Sequence, residues 1–83
     1  SKVRRFQCDD PLATSRDFFA AASSGASKIR RIGDDTLQAS FHDGSTVTWR
    51  RQSYSDGSPV VEINLKRATS GVNKYQKIHF VKR

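Results

Sequence analysis

Four residues with the chemistry of an acid–base site fall at alternating positions of three short segments: Arg50 ends TVTWR, Glu62 lies inside VVEINL, and Lys77 and His79 lie inside QKIHF. Each segment is rich in β-branched or aromatic residues and reads as a strand, so neighbouring side chains leave opposite faces. Val47 and Trp49, then Val61, Ile63 and Leu65, then Ile78 and Phe80 take one face. Thr46, Thr48, Arg50, Glu62, Asn64, Lys77 and His79 take the other. One histidine, one carboxylate, two cations and hydroxyls on one face are the groups that RNA cleavage requires. A base must accept the proton of a ribose 2′-hydroxyl, an acid must protonate the departing 5′-oxygen, and fixed cations must hold the extra charge of the phosphorane. His79 is read as base or acid, Glu62 as its partner, and Arg50 and Lys77 as phosphate clamps, with Thr48 between them. The product would be a 2′,3′-cyclic phosphate, and neither a metal nor a cofactor is required.

Further candidates surround this set. Lys66, Arg67, Lys74 and Lys82 read as charge that tracks a phosphate chain. Arg51, Ser53 and Tyr54 lie in or beside the loop RQSYSDGSP, together with Ser55 and Ser58, and Tyr54 and Tyr75 offer rings on which an unpaired base can stack. Plainer readings stand beside these. One face of an antiparallel sheet is often simply solvated, Glu62 can pair with Lys77 across two strands, and His79 can be an idle strand histidine. His42, next to Asp43 and Gly44, reads as a residue flanking a turn.

The elements that must position these groups are legible in outline. DDPLATSRDFFAAASS reads as a helix, with Asp9 or Asp10 as its cap, Pro11 in its first turn and Gly25 beyond its end. Leu12, Ser15, Phe19 and Ala22, with Phe18 beside them, form the face that covers a sheet. KIRRIG is a short strand candidate, and TLQASFH, TVTWR, VVEINL and the closing segment are clearer ones. Asp43-Gly44-Ser45 reads as a hairpin turn, and RQSYSDGSP and KRATSGVN as loops. The expected fold is therefore α+β: an N-terminal helix packed on a four- to five-stranded antiparallel sheet. Leu37, Phe41, Val47, Trp49, Val61, Ile63, Ile78 and Phe80 are expected to form its core, and residues 1–8 a flexible or linker-derived terminus.

Composition narrows the class of protein. At 83 residues the chain is a single domain with a small core; at 35% hydrophobic residues it is polar for a globular domain but too rich in aromatic and β-branched residues for disorder. The net charge is +7. Residues 1–45 carry seven Lys/Arg against six Asp/Glu, whereas residues 46–83 carry eight against two, so the positive field belongs to the second half. Such a field suits RNA or an acidic protein. No segment is long and apolar enough for a bilayer. The single cysteine, Cys8, permits neither an internal disulfide nor a cysteine metal cluster and is expected to be inert near a frayed end. There is no nucleophile elbow, paired metal-ligand spacing or glycine-rich phosphate loop. A start without Met suggests a fragment of a longer chain. Two other functions fit the same basic face: a non-catalytic RNA-binding module and a protein-interaction domain with an acidic partner.

Over residues 33–81, the run DGSTVTWRRQSYSDGSPVVEINL followed by QKIHF resembles the C-terminal toxin modules of bacterial polymorphic, contact-dependent growth inhibition toxins. The helix followed by an antiparallel sheet is similar to the barnase, EndoU, colicin and RelE group of ribonucleases. The resemblance implies a metal-independent RNase, often acting on transfer RNA. It also implies export at the end of a large surface toxin, action in the cytoplasm of a neighbouring cell, and neutralisation by a cognate immunity protein that is acidic at the contact. In that pattern Arg50, Glu62, Lys77 and His79 take the site positions, with Ser53 or Ser55 as the loop hydroxyl.

Overall fold

A computed structural model describes residues 2–67 and 74–83, which form one helix and one six-stranded sheet. Along the chain these are β1 (Lys2–Cys8), α1 (Pro11–Ala22), β2 (Lys28–Ile32), β3 (Thr36–Ser40), β4 (Thr46–Arg50), β5 (Val60–Asn64) and β6 (Tyr75–Lys82). The sheet order is β1-β6-β5-β4-β3-β2. The last five strands pair antiparallel, as the short loops between them require, and β1 joins β6 in parallel.

The α+β class is as expected, and two details differ. The sheet is mixed, with six strands in place of four or five, and a strand precedes the helix. Residues 2–8, expected to be a flexible terminus, form β1. Nothing local announces this strand, because all of its residues except Cys8 are exposed and its parallel partner lies at the far end of the chain. Cys8 is correspondingly buried in the core, not frayed. Residues 68–73 of the expected KRATSGVN loop lie outside the described residues.

Helix α1 starts where Asp10 accepts a hydrogen bond from the Ala13 amide at 3.1 Å, and Pro11 occupies the first turn, where no amide donor is needed. Its buried face is Ser15 and Phe19. Phe19 belongs to one buried cluster with Cys8, Ala39, Val47, Trp49, Val61 and Phe80, and Leu12, Phe18, Ala22, Ala26, Leu37, Phe41, Ile63 and Ile78 pack against it. Burying one such aromatic or large aliphatic side chain contributes about 1.5–3 kcal/mol. Trp49 brings a polar atom into this core. Its Nε1 donates to Ser15 Oγ at 2.9 Å, and Ser15 in turn donates to the Leu12 carbonyl at 2.9 Å. Ser15 is thus a helix-interior serine retained for a partner on the sheet.

Candidate active site

With the helix on one face, strand register decides what the open face presents. Thr48 stands opposite Glu62, Glu62 opposite Lys77, and Gln38 opposite Thr48, so these four form one row across β3, β4, β5 and β6. The next row runs Thr36, Arg50, Val60, His79 and Arg5. The expected set of Arg50, Thr48, Glu62, Lys77 and His79 therefore shares one face, in two adjacent rows.

Within the first row, Gln38 donates to Thr48 Oγ1 at 3.2 Å and accepts from Arg30 at 3.3 Å. Glu62 is the centre. Its Oε1 is sealed from solvent and has no hydrogen bond of standard geometry, and its charge is met there by Arg50 Nη1 from the neighbouring row. Its Oε2 accepts from the Tyr75 hydroxyl. The cross-strand ion pair expected with Lys77 is thus a pair with Arg50, although Lys77 stands opposite in register. Burial pushes the Tyr75 phenol up to about 12, and its hydrogen bond to the Glu62 carboxylate acts in the same direction. Tyr75, expected to stack on a base, is instead engaged with Glu62.

Arg50 has a second neighbour. Its guanidinium lies 5.9 Å from the ring centre of Tyr54, which is 95% exposed and open to stacking. Both line a hollow of about 340 Å³ whose wall also holds Ile32, Asp35, Thr36, Gln38, Thr48 and Gln52, so one carboxylate stands among its polar groups. A guanidinium, an exposed aromatic ring and polar side chains around them are groups with the chemistry to take a phosphate and a base.

His79 takes its place in the register but not in the open. It is 4% exposed, covered by the loop of residues 51–59, which folds back onto the end of the sheet and also buries Val60 and Ser53. Ser53 is therefore held inside the loop and not offered to a ligand. Its Oγ donates to Asp56 Oδ1 at 2.6 Å. Ser58 donates to the same oxygen through Oγ at 2.6 Å and through its amide at 3.0 Å, while Arg5 of β1 holds Oδ2 at 2.8 Å. Hydrogen bonds from the Ser53 and Ser58 hydroxyls, the Ser58 amide and Arg5 keep the Asp56 carboxyl far below the usual carboxylate range, against the opposing effect of burial. His79 Nδ1 lies 3.0 Å from Ser58 Oγ and 3.5 Å from Asp56 Oδ1.

The remaining cations are dispersed. Arg51, Lys66, Arg67 and Lys74 are exposed, with Lys66 beside the Asp43-Gly44 turn through a bond from its amide to Ser45 Oγ at 2.9 Å. Alternation along β6 puts Lys82 on the helix side, where its ammonium donates to the Asp9 carbonyl. His42 is exposed at the turn, as read. Sequence reasoning missed Asp56 and Arg5. Asp56 had a signal in its Asp-Gly-Ser context, which favours a side chain folded onto the following backbone, whereas Arg5 had none. No group of three or more His, Cys, Asp or Glu among the described residues has the spacing to hold a metal ion.

The chain matches no family model, no curated protein and no solved structure.

Proposed function

We propose that this chain is an endoribonuclease toxin domain that cuts RNA, with transfer RNA as its substrate class, by attack of a 2′-hydroxyl on the adjacent phosphate. The observation that supports it is the Arg50–Glu62 pair on an open, basic sheet face, next to a polar hollow and the exposed ring of Tyr54. Glu62 takes the proton of the 2′-hydroxyl once the phosphate draws Arg50 away from it. Arg50 and Lys77 hold the phosphorane charge, Thr48 donates a hydrogen bond within the same row, and His79 protonates the departing 5′-oxygen. The domain is delivered by a larger exported toxin, acts in the cytoplasm of the target cell and is neutralised by an immunity protein acidic at the contact.

The test is incubation of the domain with total bacterial RNA in EDTA, followed by detection of transfer RNA fragments with cyclic-phosphate ends. Wild-type protein is expected to give discrete fragments, and Glu62→Gln to cut about 10²- to 10⁴-fold more slowly. Undiminished cleavage by Glu62→Gln would overturn the assignment. A second reading, a non-catalytic RNA-binding module, is favoured by the loop over His79 and by the two partners that already engage Glu62. It predicts salt-dependent RNA binding with no fragments at any protein concentration.

A further inference from the structure

The Asp56–Ser58–His79 cluster has more order than covering a histidine requires. Asp56 Oδ1 receives both the Ser53 and Ser58 hydroxyls at 2.6 Å and the Ser58 amide at 3.0 Å. An ionised carboxylate only accepts. The single proton of the Ser58 hydroxyl is therefore committed to Asp56, and the oxygen of Ser58 faces His79 with lone pairs alone. At 3.0 Å from that oxygen, His79 Nδ1 must be the donor. Nδ1 consequently carries a hydrogen, and in the neutral ring Nε2 carries the lone pair. Arg5 of β1 holds the other oxygen of Asp56 at 2.8 Å. Nε2 has no protein partner among the described residues.

We infer that Asp56 is a positioning residue, acting through Ser58 to hold neutral His79 in its Nδ1–H tautomer, so that the ring exchanges protons with substrate only at Nε2. The catalytic meaning of this rests on the ribonuclease reading. In the cleavage step the 2′-oxygen bonds to phosphorus as the bond from phosphorus to the 5′-oxygen breaks. The 2′-hydroxyl proton passes to Glu62, and the Nε2 proton of the imidazolium passes to the 5′-oxygen. His79 then ends as the neutral Nδ1–H ring that Ser58 and Asp56 already hold. Without the relay, the Ser58 hydroxyl is free to donate to Nδ1, and the proton of the neutral ring settles on Nε2, where it cannot be returned to a substrate oxygen in the correct sense.

Nitrogen-15 NMR of the histidine rings tests this directly, with His42→Asn used to assign the two residues. Above the pH at which the ring is neutral, His79 in the wild-type chain is expected as the Nδ1–H tautomer. Asp56→Ala and Ser58→Ala are each expected to move it to a mixture or to Nε2–H. A wild-type His79 in the Nε2–H form overturns the inference even if neither variant folds, and so does an unchanged tautomer in folded Asp56→Ala. RNA cleavage is measured alongside. If wild-type protein leaves RNA intact while His79 is Nδ1–H, the ribonuclease reading fails and the relay stands. If wild-type protein cleaves RNA, Asp56→Ala is expected to lower kcat about tenfold or more with little change in KM, since Asp56 acts through His79 and not on the substrate.

Discussion

Glu62 is the residue on which the site turns. A carboxylate on an open sheet face would ordinarily be solvated, yet one of its oxygens is sealed against Arg50 and the other takes the Tyr75 hydroxyl. Burial, and then the carboxylate beside it, raise the Tyr75 phenol, whose ionisation would place two negative charges side by side. Because its folded value is raised from 10.0 to about 12, Tyr75 stays protonated in the folded chain while an unfolded chain would already have ionised. Its stabilising effect is fully present below pH 10.0 and is lost as pH rises towards about 12. Phenolate absorbance during alkaline titration should therefore contain a late component near 12 that disappears in Tyr75→Phe, and an early, single-step titration would show that the bond to Glu62 does not form in solution.

At the scale of elements, the helix and the two Asp-Gly-Ser turns follow from local chemistry. Asp43 accepts from the Ser45 amide at 2.8 Å and Asp56 from the Ser58 amide at 3.0 Å, with Gly44 and Gly57 at φ values of 92° and 75° that suit glycine. The same tripeptide serves two ends: Ser45 receives the Lys66 amide, and Ser58 meets His79. The cap of α1 is equally local, and Asp10→Ala should cost about 1 kcal/mol in urea denaturation by leaving the Ala13 amide without its partner. A loss within error would mean that neighbouring Asp9 or water replaces it. The edge strands are different in kind. β1 and β2 leave Val3, Phe6, Ile29 and Ile32 exposed, and Lys2, Arg4, Arg5, Lys28, Arg30 and Arg31 among them make both edges cationic, which opposes edge-to-edge pairing of two copies.

For the molecule as a whole, the sheet redistributes charge that looks one-sided along the chain. The first half is nearly neutral in total, but six of its cations lie on the two edge strands, so the basic second half is framed by further positive charge. Facing matters as much as number. Lys77 stands on the open face, whereas Lys82 points to the helix side and is tied to the Asp9 carbonyl. If RNA lies on the open face, Lys77→Ala should lower the slope of log affinity against log salt by about 1, and Lys82→Ala should leave it nearly unchanged. Equal effects would place the RNA across an edge and not on the face.

The amino-acid sequence by itself determined the helix and its cap, the four central strands, the turns, and which residues share the open face, because each depends on neighbours within a few positions: alternation, capping and turn chemistry are local. Arg50, Glu62, Lys77 and His79 were legible as one constellation for that reason. Only the tertiary structure decided that β1 joins the sheet as an edge strand beside β6, that Glu62 meets Arg50 and Tyr75 and not Lys77, and that the loop carrying Asp56 covers His79. Those outcomes join residues 12 to 74 positions apart, or depend on how a polar loop folds back over a sheet end, and no periodicity in the chain encodes either.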